Sequence, residues 1–126
     1  YKSNDAGATW TQVSTEMIID LDVNPMNSKV MYASGFHNPS VSSSKALIMK
    51  TTDFGATWTV LSTGIPSQSS VLRVETAIAP SDSNYIYAIT CGTDEGIYAI
   101  YKSTDAGVTW ETVAAHDTTN VTNCHN

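Results

Sequence analysis

The 126-residue chain has little of what marks the commonest functional classes. Basic residues are scarce: five lysines and a single arginine, Arg73, stand against 12 acidic residues, for a formal charge of −6. A nucleic-acid binder needs a basic stripe or patch, so nucleic acid is not an expected partner. No apolar run approaches the ~18 residues of a spanning helix, and no membrane-spanning segment is expected. Two cysteines, Cys91 and Cys124, are too few for a disulfide framework; whether they pair with each other stays open. The histidines, His116 and His125 among them, form no Cys/His cluster at zinc-ligand spacing. With no Gly-rich phosphate loop and no Gly-x-Ser-x-Gly elbow either, no metal and no cofactor are expected. Charged residues make up only 14% of the chain, against the ~25% usual in soluble domains. Helical periodicity is not evident anywhere.

What is abundant is Ser and Thr, 32 residues together, a quarter of the chain, beside 41% hydrophobic residues with Val, Ile and Tyr prominent. That is enough apolar material for a core, which argues against disorder. The composition is that of a soluble, all-β extracellular module more than of a cytosolic enzyme. Asn120-Val121-Thr122 has the form of an N-glycosylation acceptor, whereas Pro39 disqualifies Asn38-Pro39-Ser40. Both ends read as cuts through a longer polypeptide.

Self-similarity decides the reading. Ser3-Asn4-Asp5-Ala6-Gly7-Ala8-Thr9-Trp10 recurs as Thr51-Thr52-Asp53-Phe54-Gly55-Ala56-Thr57-Trp58 and again as Ser103-Thr104-Asp105-Ala106-Gly107-Val108-Thr109-Trp110. The pattern Ser/Thr-x-Asp-x-Gly-x-Thr-Trp follows a lysine each time: Lys2, Lys50 and Lys102. One such match arises by chance on the order of once in a million positions. The copies lie 48 and 52 residues apart, the period of a four-stranded propeller blade. A looser repeat agrees, with Pro25 and Tyr32 matching Pro80 and Tyr87 at an offset of 55. The extra residues fall in a surface loop around Thr63–Ser69.

Each copy sits between strand-like runs, so it reads as the turn of a β-hairpin. An Asp early in a turn accepts backbone N–H bonds further along. Gly two residues on supplies φ > 0, the leading Ser/Thr hydroxyl satisfies another loop group, and Trp folds over the turn with a large apolar area. Asp5, Asp53 and Asp105 are therefore expected to be turn staples rather than catalytic or calcium-binding groups, with Ser3, Gly7, Trp10, Thr51, Gly55, Trp58, Ser103, Gly107 and Trp110 completing the structural set.

These motifs resemble the Asp-box (BNR) repeat of β-propellers, carried by sialidases, sortilin-type receptors, xyloglucan-degrading glycosidases and large secreted bacterial proteins of the type IX secretion kind. The resemblance implies a partial β-propeller of about two and a quarter blades. Residues 1–13 would be the outer hairpin of a first blade, 14–62 and 63–114 complete blades, and 115–126 a linker or the start of another blade. Inner strands are expected at Met17–Val23 and Arg73–Ala79, and second strands at Lys29–Ser34 and Tyr85–Cys91. Since propeller blades bury their faces against neighbours, the remaining blades are the first expected partner, and the isolated stretch is expected to aggregate or fold poorly. The resemblance further implies that the motif hairpins lie at the blade periphery, away from the substrate-binding face.

Candidate functional residues are few. A sialidase site requires an arginine cluster, which one arginine cannot supply; Arg73 with Glu75 on an inner strand reads as a ligand contact or an ordinary ion pair. Common glycoside hydrolysis needs two carboxylic acids ~5–10 Å apart. Asp20 and Asp22 share one face of an inner strand, and they read as catalytic acids, a cation site or polar channel lining. His37, in the loop Gly35–Ser44, and Asp94-Glu95 lie in loops that either bind or are merely solvated. If the type IX likeness holds, Thr118 within Asp117-Thr118-Thr119 is an O-glycosylation acceptor, beside Asn120. The expected role is a secreted or cell-surface scaffold or recognition domain that binds glycan or another surface protein. A glycoside hydrolase with most of its site in other blades, and a sortilin-like receptor, are the alternatives.

Overall fold

The computed structural model describes residues 1–38, 40, 46–61, 63–65, 71–93 and 96–115. Eight strands alternate with short turns: β1 (Ile18–Val23), β2 (Met31–Gly35), β3 (Ile48–Thr51), β4 (Thr59–Leu61), β5 (Val71–Ile78), β6 (Ile86–Gly92), β7 (Ile97–Ser103) and β8 (Glu111–Ala115). They form two four-stranded antiparallel sheets, β1-β2-β3-β4 and β5-β6-β7-β8, each a meander in sequence order. The chain is thus all-β, a partial propeller, and it has no helix long and apolar enough to cross a membrane among the described residues.

The strand limits follow from local hydrogen bonding. After β1, the Asn24 side chain accepts bonds from the Met26 and Asn27 amides at 2.8 and 3.2 Å and closes the turn on Pro25. Asn27 then accepts from the Lys29 amide at 3.1 Å. This holds Lys29 in the turn, so β2 starts at Met31, two residues later than the residue pattern suggests. Asp82 does the same for Asn84 at 3.0 Å before β6. Inner strand β5 starts earlier than expected, at Val71, because its first residues face β6 and the end of the first sheet at once. Val71 pairs with Gly92, and Arg73 forms an isolated bridge with Phe36.

The period-two alternation sorts each sheet into two faces. In the first sheet Asp22, Tyr32 and Lys50 stand in register across β1, β2 and β3, as do Asp20, Ser34 and Ile48. This face packs on the second sheet. Tyr32, Ile48 and Leu61 form a common core with Val74, Ile86, Ala88, Tyr101 and Trp110. The opposite face of the first sheet carries Leu21, Ala33 and Met49 and is covered only in part, by the amino-terminal segment. There Lys2 and Thr11 exchange two backbone bonds of 2.8 Å, closing a hairpin around the first motif.

The three motif tryptophans record how much sheet lies against each of them. Trp110, covered by the first sheet, is 7% exposed, Trp58 is half-buried, and Trp10 is 62% exposed. The local turn is alike in all three, since each indole lies 3.4–3.7 Å from where a Cβ on the motif glycine would stand. Burial of the ring is therefore a property of sheet stacking rather than of the turn. Trp110→Ala is expected to lower stability by about 3–5 kcal/mol and Trp10→Ala by under about 1 kcal/mol. Urea unfolding of the two variants checks this, and equal losses would contradict it.

Candidate functional site

Each motif turn is built on one carboxylate. In the first, Asp5 Oδ1 accepts the Ser3 hydroxyl and the Thr9 amide, both at 2.8 Å, and Oδ2 accepts the Thr9 hydroxyl. The Ser3 oxygen in turn accepts the Gly7 amide at 2.8 Å. The second turn repeats this through Thr51, Asp53, Gly55 and Thr57. The third does so through Ser103, Asp105, Gly107 and Thr109, with distances within 0.1 Å of the first. A carboxylate that accepts so many bonds is stabilised in its charged form. The Thr9 hydroxyl and amide and the Ser3 hydroxyl pull Asp5 down to about 2, and Thr109 and Ser103 do the same for Asp105, to about 2. Thr57 and Thr51 push Asp53 lower still.

The motif hides a second left-handed residue. Gly7, Gly55 and Gly107 have φ of 91°, 77° and 84°, but the residues before them are left-handed too: Ala6 at 55°, Phe54 at 59° and Ala106 at 58°. A non-glycine residue in that region costs about 1–2 kcal/mol, and nothing in the motif's spelling announces it. The carboxylate network holds both residues there. The amide of this strained residue bonds back to its own sheet, Phe54 to the Lys29 carbonyl at 3.1 Å and Ala106 to the Asn84 carbonyl at 3.0 Å. At Ala106 the carbonyl faces the other sheet, where the Tyr32 hydroxyl and the Lys50 ammonium both donate to it at 2.8 Å. Lys50 also lies over the Tyr32 ring, 5.4 Å from its centre. Burial pushes Tyr32 up to about 12 and lowers Lys50, against the opposing pull of Asp105. Gly107 sits beneath this contact, where an added Cβ would stand 2.8 Å from Leu61 Cδ1 and 3.3 Å from Tyr32 Cε1.

The inner strands carry the remaining candidates. Asp22 Oδ2 accepts the Thr76 hydroxyl across the seam between sheets at 2.8 Å. Its carboxyl is raised by burial, with Thr76 pulling it down and Asp20 pushing it up. Asp20 accepts the adjacent Leu21 amide at 2.9 Å. Arg73 and Glu75 form an ion pair on the open face of the second sheet, with side chains 42% and 41% exposed. The His37 amide donates to the Leu72 carbonyl at 2.7 Å, so the loop after β2 is laced to the start of β5 beside Arg73. Thr118, Asn120, Asp94 and Glu95 lie outside the described residues. Cys91 is disulfide-bonded, and Cys124, the other cysteine of the chain, also lies outside them. The residues that sequence reasoning missed are Tyr32 and Lys50. The lysine before each motif was visible, but its acceptor lies 56 residues away in the chain.

The depressed carboxylates link folding to acidity. Their folded values lie below the ordinary 3.8, so their contribution is complete above about pH 4. It is lost as pH falls through about 2. Urea midpoints measured from pH 5 to pH 2 are expected to fall over that window in the parent protein. In an Asp5→Asn, Asp53→Asn, Asp105→Asn variant they are expected to be lower at pH 5 and much flatter; an unchanged slope would contradict the assignment.

The family model described as Sortilin-Vps10 (Sortilin, neurotensin receptor 3) matches residues 1–125. No curated protein matches the chain. A match over nearly the whole length, on two stacked four-stranded meanders with no helix among the described residues, establishes that the chain belongs to the Sortilin-Vps10 family.

Proposed function

We propose that the chain is a non-catalytic segment of the recognition propeller of a secreted or cell-surface protein, built on Asp-box hairpins, and that it binds a charged protein or glycan ligand at its inner-strand edge. Residues 14–62 and 63–114 are then whole blades, and residues 1–13 the outer hairpin of another. The observation that carries the reading is the state of the charged groups. The three motif aspartates are engaged in turns and Asp22 in the seam between sheets. Arg73 and Glu75 stay half-exposed on the inner strand, beside the His37 loop. Stacking a further blade on that face need not cover them. Asp20, at Glu75's position in the earlier repeat, remains half-exposed although the second sheet already packs on its face. The family description names a receptor, which supports recognition over catalysis.

A glycoside hydrolase has one observation in its favour, the burial that raises the Asp22 carboxyl, as a general acid requires. Binding to a glycan array and a displayed peptide library, followed by affinity measurement on the intact protein, separates the two readings. Arg73→Ala, Glu75→Ala is expected to weaken the selected ligand at least about tenfold, the scale of lost charged hydrogen bonds. Asp20→Asn, Asp22→Asn should leave binding unchanged. Polysaccharide hydrolysis abolished by the latter pair would overturn the proposal.

A further inference from the structure

The two sheets repeat each other closely, but the outer strands of the second depart from those of the first in one respect. In the first sheet, β2–β3 and β3–β4 pair without a break in register. In the second, β7 is flanked by a bulge on each side. Against β6, Ile97 pairs with Cys91 and Ala99 with Thr90, which leaves Tyr98 as an extra residue. Against β8, Ile100 pairs with Ala114 and Tyr101 with Thr112, which leaves Val113 extra. Bulges re-aim side chains, and they gather beside functional sites.

Both bulges act on one place. In a regular strand Tyr98 and Ala99 would point to opposite faces, and so would Thr112 and Ala115. Here these four, with Tyr101, line one cavity of about 350 Å³. That is the small end of the ~300–1,000 Å³ range of small-molecule sites. Ala99 and Tyr101 belong to the core shared with the first sheet, so the cavity lies on the packed side, away from the open face that carries Arg73 and Glu75. Ala99 and Tyr101, 2% and 4% exposed, form its floor, half-buried Tyr98 a wall, and exposed Thr112 and Ala115 its rim.

The chemistry of these side chains narrows the occupant. None of the five is charged, and Lys102 and Glu111, in the next register row, make their ion pair on the opposite face. The chain as a whole carries −6, which disfavours an anion. Two tyrosine rings supply aromatic surface with polar tips, and Thr112 adds a hydroxyl at the rim. The Tyr98 and Tyr101 phenols stand close enough to interact: burial raises Tyr101, Tyr98 raises it further, and a bond with Thr90 pulls it down. At an offset of 52 the first sheet has Ala46, Leu47, Met49 and Val60 in these places, with no hydroxyl and with leucine where Ala99 leaves space. The hollow therefore belongs to the second repeat and not to the common blade plan. An uncharged guest with a C–H face and a rim of hydroxyls matches it, whereas a purely aliphatic one would leave the hydroxyls unpaired.

We propose that the bulged cavity of β7 and β8 binds one neutral hexopyranose unit of a glycan, its C–H face against the Tyr98 ring and one of its hydroxyls bonded to Thr112. The site is separate from Arg73 and Glu75, and the inference does not rest on the recognition role given to them.

The probes are the methyl pyranosides of glucose, galactose and mannose, titrated into the intact protein and followed by saturation-transfer NMR. At least one is expected to bind saturably, with a dissociation constant on the order of 1–10 mM. Transfer should be strongest to the C–H protons of one ring face. Thr112→Val, which installs the residue of the first sheet, should weaken binding about three- to tenfold, the scale of one lost hydrogen bond. Tyr98→Leu should weaken it at least about tenfold. Because Tyr98 also packs on the core, a second variant keeps the test independent of folding: Ala115→Phe, at the exposed rim, should abolish binding and leave the urea midpoint unchanged. Methyl glucuronide should bind more weakly than methyl glucoside. No saturable transfer to any of the three sugars at about 100 mM, or binding indifferent to Ala115→Phe, would overturn the proposal. Binding of p-cresol with none of the sugars bound would overturn it too, by making a partner's tyrosine side chain the occupant.

Discussion

A single carboxylate holding two consecutive left-handed residues is the constraint on which the rest of this structure depends. Without Asp105 and its two hydroxyl partners, Ala106 would relax out of a conformation that costs an ordinary residue about 1–2 kcal/mol. With them, its amide is tied to the turn before β6 and its carbonyl is presented to the neighbouring sheet. The Tyr32 hydroxyl and Lys50 ammonium close on that carbonyl over a seam that also buries Ile48, Leu61 and Trp110. A local turn thereby becomes the point at which one sheet is registered on the next.

The faces that meet at the seam differ from each other. One presents donors, Tyr32 and Lys50, and the other presents the strained turn and its tryptophan. Contacts of this head-to-tail kind propagate from repeat to repeat, which explains the graded burial of Trp10, Trp58 and Trp110. The arrangement also divides the acids. Those in motif turns are fixed and strongly ionised, Asp22 spans the seam, and Arg73 and Glu75 stay half-open to solvent. Recognition at the inner edge is thus compatible with a scaffold whose motif and seam carboxylates are engaged in structure.

Much of the architecture was legible in the residues. The octapeptide marked three hairpins, period-two alternation placed Asp20 and Asp22 on one face, and the 55-residue offset aligned both sheets, because each is a short-range pattern of fixed geometry. The left-handed Ala6, Phe54 and Ala106 were not legible. Glycine one position later accounts for a positive φ by itself and masks the need for a second. The contact of Tyr32 with Ala106 spans 74 residues and arises only when two sheets stack. For the same reason the bond from Thr76 to Asp22, which joins two sheets, was not legible, and the sequence left Asp22 open as catalytic acid, cation site or channel lining.

The central claim is that the carboxylate-held turn and the seam between sheets act as one unit. A double-mutant cycle on urea stability with Asp105→Asn and Tyr32→Phe tests it most directly. Releasing the turn should already forfeit the Tyr32 contact, so the combined loss is expected to fall clearly short of the sum of the single losses. Strict additivity would mean that the turn and the seam are independent, and would contradict the account.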